Sequence, residues 1–219
     1  MNRIGILLTH NMATISYAIT VCNELEEIKK LVPFLIKHKQ VHDEIVILFD
    51  EKNGTREVLD YLLEFNILPN VQTWRNFFTE NFAEAKNRLN MHCKNEWIYQ
   101  LDADEMIDEN LILNLPVILE SNPNIDLFFV PRINIVNGIT EEHIRKWKWH
   151  VNQNGWINFP DFQGRIYKNK AGIEWSGKVH ERIVGAENYT SLPTEEVYCI
   201  RHIKEIARQE KQNAFYNTL

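Results

Sequence analysis

The stretch Trp97-Ile98-Tyr99-Gln100-Leu101-Asp102-Ala103-Asp104-Glu105 places three acids directly after an apolar run. The run predicts a buried strand, because it is short, apolar and bounded by polar residues. Carboxylates so close together repel each other and are costly to bury unpaired. Magnesium or manganese removes that cost, since it binds one or two protein carboxylates together with substrate phosphates. The alternative interpretation is a solvated acidic turn, with Asp108 capping the next helix.

The preceding part of the chain alternates between predicted strands and predicted helices. The strands cover residues 16–21, 45–49, 71–74 and 97–101, and a separate β-rich run at residues 3–9 comes before them. Alternation of this kind is typical of a parallel sheet wound with helices. Such sheets bind ligands at the carboxyl ends of their strands. The turn at Asn23, Asp50 and Asp102, which each follow a strand, are therefore predicted to line one edge.

Single residues predict where helices begin and end. Asn23, with Glu26 three residues later, is expected to cap the first helix as a capping box. Pro33 is expected to kink or split that helix, because proline lacks the N–H of the helical hydrogen bond. Asp108 is expected to cap a later helix, which Pro116 interrupts.

From residue 126 the pattern is less regular. Residues 126–136 predict a strand in which Pro131 marks an edge or a bulge. Short strands are predicted at 165–168, 173–175, 179–183 and 197–202, and a charged helix from residue 205. The segment 147–162 carries five aromatic residues, which belong either to the core or to a recognition surface: Trp147, Trp149, Trp156, Phe159 and Phe162.

Composition narrows the class of protein. With 219 residues, 44% hydrophobic and 25% charged, the chain resembles an ordinary globular protein. A net charge of −6 gives no general attraction to nucleic acid or to anionic membranes. Three cysteines without C-x-x-C spacing indicate reduced thiols and a cytoplasmic location. No apolar run reaches the ~18–20 residues of a membrane span, and no signal peptide is recognised.

Several motifs, in order, resemble one family. Asn23-Glu24, Asp50, Asn81-Phe82-Ala83-Glu84-Ala85-Lys86-Asn87-Arg88 and the stretch 97–105 look like the nucleotide-sugar half of family-two glycosyltransferases of the GT-A fold. Gln163-Gly164-Arg165-Ile166-Tyr167 and Trp175-Ser176-Gly177-Lys178-Val179-His180-Glu181 are similar to the later part of a bacterial branch that includes lipopolysaccharide-core transferases. The resemblance covers residues 16–205.

The resemblance implies an α/β GT-A fold, the nucleotide-diphospho-sugar transferase fold. This fold has a single Rossmann-like, mostly parallel sheet wound with helices, and a smaller mixed β region on the acceptor side. We therefore expect residues 1–219 to form one domain. Its parts would be a nucleotide-sugar-binding half at 16–105, an acceptor and catalytic half at 106–204, and a C-terminal helix at 205–219.

The resemblance also implies roles for individual residues. Glu181 would be the catalytic base, and Asp50 would accept a hydrogen bond from the imide of uracil. The other donor-binding residues would be Thr20, Cys22 and Glu24 at the nucleoside, Lys86 at the sugar phosphate, Asp102 at the ribose or sugar, and Arg165. The metal ligands would be Asp104, Asp102 and His202, with His180 as second choice.

These roles predict a metal-dependent, inverting glycosyltransferase that moves a sugar from a UDP-sugar to an acceptor hydroxyl in polysaccharide or glycoconjugate synthesis. Mn²⁺ or Mg²⁺ would neutralise charge on the departing diphosphate, and the base would take the proton of the hydroxyl. The acceptor would be a saccharide, a lipid-linked saccharide or a peptide, since the acidic balance argues against nucleic acid. The chain lacks the Gln-x-x-Arg-Trp motif of processive synthases, which argues for single transfer.

Two other functions stay open. Sugar-phosphate nucleotidyltransferases also use strand-end acids and a metal, but they usually carry a glycine-rich phosphate loop, and residues 20–25 contain no glycine. A catalytically silent nucleotide-sugar-binding module would keep the fold without turnover. The intact acids, His202 and Glu181 argue against that module.

Overall fold

Strands with continuous apolar runs form the first half of the sheet. The structure, a computed structural model, describes residues 12–216, and the β-rich run predicted at 3–9 lies outside them. The first four strands are β1 (Ile15–Val21), β2 (Glu44–Asp50), β3 (Val71–Asn76) and β4 (Trp97–Asp102). They pair in parallel in the order β3-β2-β1-β4, which confirms the predicted parallel sheet.

Three helices connect these strands: α1 (Leu25–His38), α2 (Arg56–Leu63) and α3 (Phe82–Asn90). Successive residues of a strand point to opposite faces, so the apolar side chains divide between two cores. Ile45, Ile47 and Phe49 belong to one apolar cluster, whereas Val46 and Leu48 belong to the other. Both faces of the sheet are therefore covered, as is usual for parallel strands.

The second half extends the same sheet, mainly with antiparallel pairs. Its elements are β5 (Glu105–Met106), α4 (Glu109–Glu120), β6 (Leu127–Asn137), α5 (Glu141–Trp147), β7 (Ile157–Lys168), β8 (Glu174–Ser176), β9 (Arg182–Val184), β10 (Tyr189–Ser191), β11 (Ile200–Glu205) and α6 (Ile206–Tyr216). The sheet continues from β4 through β7, β6, β11 and β5, with β10 beside β6. β8 and β9 form a separate two-stranded sheet. Among the described residues, no helix is long and apolar enough to span a membrane.

Strand pairing in the second half brings distant polar residues together. Arg132 on β6 lies opposite Asp161 on β7. β11 runs between β6 and β5, so His202 lies opposite Asn134 on one side and opposite Glu105 on the other. These pairings place a group of polar side chains beside the end of β4.

The start of α1 differs from the prediction. The helix begins at Leu25 with Glu24 in the cap position, and Asn23 does not cap it. The Glu24 carboxylate turns back and accepts hydrogen bonds from the backbone N–H groups of Cys22 (2.7 Å) and Asn23 (3.0 Å). The longer acidic side chain thus stabilises the turn after β1.

Two prolines lie inside helices without ending them. α1 runs unbroken through Pro33 and α4 through Pro116, so Pro33 does not split α1 and the interruption expected at Pro116 is wrong. Pro33 is exposed, and water can bind the carbonyl that lost its N–H partner there. Pro116 is buried beside Leu115, and the apolar packing of α4 keeps the helix continuous.

Pro131, predicted to mark an edge or a bulge, lies between two irregularities of β6 and at a local edge. The register between β6 and β7 shifts between Phe128 and Phe129, and again between Arg132 and Asn134. On the other side of β6, β10 pairs only as far as Phe129, and pairing with β11 begins at Arg132. Pro131 therefore lies where β6 has no partner on one side, which is where a sheet tolerates proline.

The strand predicted at 179–183 is shorter in the structure. β9 begins at Arg182, and the preceding residues form a loop after β8. Gly177 (φ 106°) and His180 (φ 54°) take left-handed backbone conformations in that loop, which are incompatible with an extended strand. A bulky residue at position 177 would be strained for the same reason.

The aromatic segment 147–162 contains the end of α5 and the first part of β7. Within the described chain, none of its five aromatic residues belongs to either buried core cluster. Trp147 and Trp149 contact each other with ring centroids 4.7 Å apart, and Trp156 and Phe159 do so at 4.8 Å. This arrangement favours a surface over a core interpretation.

We expect Asp126→Asn to lower the urea midpoint of unfolding at pH 7, because Asp126 ties the start of β6 to other parts of the chain. Its carboxylate accepts from Lys170 Nζ (2.9 Å) and from the backbone N–H groups of Glu187 (3.3 Å) and Asn188 (3.2 Å). The hydrogen bond from Lys170 is the main cause that lowers the pKa of Asp126 to about 2. A folded-state pKa below the ordinary value of 3.8 stabilises the fold above about pH 4.

That stabilisation is lost as the pH falls from about 4 towards 2, so the gap in urea midpoint between wild type and Asp126→Asn should narrow at pH 3. Asp60→Asn, at an exposed ion pair of α2, is the control and should show little effect at either pH. A gap between wild type and Asp126→Asn that is equally wide at pH 7 and pH 3 would contradict the prediction.

Candidate functional site

Asp102 ends β4 and is held by two cations. Arg165 Nη2 on β7 is 2.9 Å from one carboxylate oxygen, and Lys86 Nζ on α3 is 3.3 Å from the other. Burial raises the pKa of Asp102, but Arg165 and Lys86 outweigh burial and hold the pKa well below its usual range. Thr20 Oγ1, at the end of β1, lies 3.4 Å from the same carboxylate. Four residues predicted on the donor side thus meet here.

Lys86 is a buried lysine with two acidic neighbours. Its side chain is 5% exposed, and its Nζ lies 4.5 Å from the centroid of the Trp175 ring. Besides Asp102, it contacts Glu181 at 2.7 Å. The Asn87 side chain holds the backbone of Trp175 in place. It donates to the Trp175 carbonyl (2.9 Å) and accepts from the Trp175 backbone N–H (2.8 Å). α3 and β8 together therefore position the ammonium.

Glu181, the predicted base, lies half-buried in the loop between β8 and β9. The backbone N–H of Phe82 donates to the Lys178 carbonyl (3.0 Å), which fastens this loop to the start of α3. The Lys86 ammonium therefore occupies one oxygen of the Glu181 carboxylate. His180, the second choice as a metal ligand, is exposed beside Glu181 in the same loop.

Asp104 lies among basic side chains from the end of the chain. Its Oδ2 is 3.3 Å from His202 Nε2, 3.5 Å from Arg208 Nη2 and 3.9 Å from Lys204 Nζ. Burial raises the pKa of Asp104, but the hydrogen bond and charge of His202 outweigh it and lower the pKa to about 2. Asp104 is therefore ionised at neutral pH.

Hydrogen bonding orients the His202 ring. Its Nδ1 is 2.9 Å from Asn134 Oδ1, and Asn134 Nδ2 donates to Asp161 at 2.8 Å. Because that bond directs the amide nitrogen to Asp161, the Asn134 oxygen accepts from His202 Nδ1–H. Nε2 is then directed at Asp104. Such an orienting hydrogen bond on the second ring nitrogen is typical of histidines that bind metals.

Glu105 is fully buried between two arginines. Its Oε1 is 2.7 Å from Arg165 Nη2 and 3.2 Å from Arg132 Nη1, and Arg132 also pairs with Asp161 at 2.8 Å. Its other oxygen accepts the backbone N–H of Asp102 at 2.9 Å. Glu105 therefore stabilises the acidic turn. The carboxylates of Asp102 and Asp104 contact cations and His202 instead.

These contacts form one continuous polar network of carboxylates, cations, Asn134 and His202. Its seven carboxylates are Glu24, Glu27, Asp102, Asp104, Glu105, Asp161 and Glu181, and its five cations are Lys86, Arg132, Arg165, Lys204 and Arg208. Without counting His202, the formal charge of the polar network is −2. Its acids are paired with cations, in contrast to a solvated acidic turn.

The predicted nucleoside-side residues lie together after β1 and β2. Burial, followed by the charges of Glu24 and Asp50, raises the pKa of the Cys22 thiol to about 12, so the thiol stays protonated. Asp50 accepts from the backbone N–H groups of Lys52 (2.8 Å) and Asn53 (3.3 Å), and so also holds its own turn. A contact between Asp50 and a base would use the remaining lone pairs of this carboxylate.

The side chains beside Asp104 have the chemistry to bind a divalent cation. Within residues 12–216, no three His, Cys, Asp or Glu side chains are grouped as a metal site of their own. Asp104 and His202 nevertheless supply a carboxylate and an imidazole 3.3 Å apart. Magnesium and manganese commonly take one or two carboxylates and complete their ligands with substrate phosphates and water. This set therefore fits a cation that arrives with a diphosphate.

Sequence reasoning did not single out several members of the polar network. Arg132 and Asp161 meet only through the register of β6 and β7, which no local pattern reveals. Lys204 did carry a signal, because it follows His202 by two residues and so shares its face of β11. Arg208 lies on a charged helix that gives no sign of which side chain turns inward.

Comparison with known proteins identifies the family. The family model described as Glycosyl transferase family 2 matches residues 16–179, which is more than half of the chain. No curated protein sequence matches this chain significantly. The match includes the end of β4, Lys86 and Arg165, and stops just before Glu181.

The fold resembles solved structures of TarS from S. aureus. TarS 1–349 matches with a TM-score of 0.61 and 13% identity over 88% of this chain and 60% of that chain. Its complexes with UDP-GlcNAc and with UDP each match with a TM-score of 0.62 and 13% identity over 88% of this chain, and over 59% and 60% of theirs. The chain thus spans less than two thirds of the TarS chains that it matches. The likeness confirms the expected GT-A fold, and the family model shows that the chain belongs to glycosyltransferase family 2.

Proposed function

We propose that the chain is a metal-dependent, inverting glycosyltransferase that moves a sugar from a UDP-sugar to an acceptor hydroxyl. The observation that carries this proposal is the meeting of Asp102, Asp104, Lys86 and His202 at the end of β4. Structures of similar fold hold UDP-GlcNAc and UDP, which supports a uridine donor here. We place the reaction in polysaccharide or glycoconjugate synthesis, in line with the resemblance to lipopolysaccharide-core transferases.

The donor would lie across the carboxyl ends of β1 and β4. Cys22, Glu24 and Asp50 would face the nucleoside, and Arg165 would face the sugar phosphate together with Lys86. In support, Arg165 Nη2 and Lys86 Nζ contact the two oxygens of the Asp102 carboxylate, at 2.9 Å and 3.3 Å.

The charge of the polar network supports a divalent cation. Asp104, His202 and Asp102 would hold Mn²⁺ or Mg²⁺, which would balance the formal charge of −2. When bound, such a cation neutralises negative charge on a departing diphosphate. Lys86 would contribute a second positive charge on the sugar side of the donor.

Glu181 would take the proton of the acceptor hydroxyl. The hydroxyl oxygen attacks the anomeric carbon, the bond to the diphosphate breaks with its electron pair, and direct displacement inverts the anomeric centre. A general base contributes about 10²–10⁴ to the rate. We infer that the donor phosphate takes over the ammonium of Lys86, which would free Glu181 for this step.

The aromatic segment 147–162 would bind the acceptor or close over it. Half-buried rings such as Trp147 and Trp149 offer apolar faces to sugar rings. The acceptor would be a saccharide, a lipid-linked saccharide or a peptide. The single-domain division at residues 105 and 204 and the cytoplasmic location stay predictions.

A thermal-shift screen of nucleotides tests the proposed donor. UDP and UDP-sugars with Mn²⁺ should raise the melting temperature, because a ligand that binds only the folded state stabilises it. GDP, ADP and CMP, matched in concentration, should raise it less. No shift with any uridine nucleotide would refute the proposal. Mass spectrometry of candidate acceptors then tests transfer.

The Lys86–Glu181 contact favours one alternative, a silent nucleotide-sugar-binding module. If Lys86 neutralises Glu181 permanently, no base is available. UDP-sugars would then stabilise the protein without any sugar being released or transferred.

A further inference from the structure

Arg208 on α6 connects the two sides of the proposed donor site. Its Nη2 is 2.9 Å from Glu24 Oε1 and 3.5 Å from Asp104 Oδ2, and its Nη1 is 2.7 Å from Glu27. Glu24 belongs to the nucleoside side and Asp104 to the metal side. In a nucleotide sugar the diphosphate joins the nucleoside to the sugar. The diphosphate of a bound donor would therefore pass close to Arg208, between Glu24 and Asp104.

Lys204 adds a second cation beside Asp104. It lies on the same face of β11 as His202, its side chain is 7% exposed, and its Nζ is 3.9 Å from Asp104 Oδ2. Nζ also donates to Gln212 Oε1 at 2.6 Å, which is a neutral partner. A buried ammonium whose carboxylate neighbour is as far away as 3.9 Å is only partly neutralised, which is costly. An added phosphate oxygen would reduce this cost.

We propose that Arg208, with Lys204 beside it, binds the diphosphate of the donor and stabilises it as it leaves. This role rests on the proposed donor site. Of the three carboxylate contacts of Arg208, the one to Asp104 is the longest, and the side chain is 33% exposed. Arg208 can therefore give up Asp104 for phosphate oxygens and keep its contacts to α1. A planar guanidinium suits this task, because its fork of N–H groups matches phosphate geometry.

Binding of UDP and of uridine, measured by calorimetry in Mn²⁺, separates phosphate contacts from nucleoside contacts. Arg208→Gln should weaken UDP binding about tenfold to a hundredfold, the range of hydrogen bonds to charged groups, and change uridine binding less than about twofold. Lys204→Gln should give a smaller loss for UDP. Arg208→Lys keeps the charge and should recover part of the UDP affinity.

A matched variant separates phosphate binding from a general loss of positive charge. Arg201→Gln removes an equal charge from the exposed face of β11 and should bind UDP like wild type. If Arg208→Gln weakens UDP and uridine equally, or neither, Arg208 does not bind the diphosphate. If wild type binds neither ligand, the proposed uridine donor itself is refuted.

Discussion

Replacing Asp104 with asparagine is expected to lower kcat/KM for sugar transfer by at least about 10³, with only a small fall in melting temperature. The variant keeps the size of the side chain but removes the charge that we assign to the metal, and metal stabilisation of a leaving group is worth several kcal/mol. The fold should persist, because His202 keeps Asn134 and Arg208 keeps Glu24. Transfer assays across a series of Mn²⁺ concentrations, with thermal melts of the same samples, measure both effects.

Asp108→Asn is the matched control for Asp104→Asn. Asp108 caps α4 by accepting the Asn110 N–H at 2.9 Å, and asparagine is an equally good cap, so this variant loses the same charge nearby without losing fold or activity. A thermal-shift titration gives a readout besides turnover. The additional stabilisation that Mn²⁺ gives in the presence of UDP should vanish in Asp104→Asn. Unchanged transfer, or unchanged Mn²⁺ dependence, in Asp104→Asn would refute the assignment of Asp104 as a metal ligand.

The strands of the first half could be predicted because each carries its own signal. The apolar run before Asp50 has both faces covered, and its two cores follow from the alternation of side chains. The helix ends could not be predicted equally well. Asn23 has the right chemistry for a cap, but the helix starts one residue later than such a cap requires, and the Glu24 carboxylate instead accepts the N–H groups of Cys22 and Asn23.

The acids of the site could be predicted, whereas their partners could not. Asp102 and Asp104 are recognisable in the sequence because they come at the end of an apolar run that predicts a buried strand. Arg132 and Asp161 become neighbours only when β6 and β7 pair in one register, and a shift by one residue would turn these side chains to the other face. The sequence predicts a strand only at 165–168, whereas β7 begins at Ile157. Residues 157–164 give no strand signal, because they mix aromatic, polar and proline residues without strict alternation.

The contact between Lys86 and Glu181 would link the two chemical roles that we propose for these residues. Lys86 is buried under Trp175, so it cannot move far, but it can exchange one anionic partner for another. In the absence of donor, Glu181 neutralises it. A donor phosphate would compete for the same ammonium, and the Glu181 carboxylate would be released to the acceptor only after the donor has bound. Proton removal from the acceptor would thereby depend on donor occupancy.

Glu181→Gln is expected to lower kcat by about 10²–10⁴. The variant should bind UDP at least as tightly as wild type, because a neutral amide competes less than a carboxylate with the donor phosphate for Lys86. Glutamine keeps the shape of the side chain and can still accept a hydrogen bond from Lys86, but it cannot take a proton from the acceptor. Pre-steady-state transfer and calorimetry with UDP measure the two quantities separately. Glu174→Gln, at an exposed position of β8, is the control and should behave like wild type.

A purely neutralising role for Glu181 predicts a different kcat. If Glu181 only neutralises Lys86, its replacement by glutamine should leave kcat within a few-fold of wild type, although UDP would again bind more tightly. Retained turnover would therefore reassign the base, and Asp161, which is half-buried on β7, would be the next residue to test. Loss of turnover without weaker UDP binding places the proton on Glu181, because no loss of donor affinity could then account for the slower reaction.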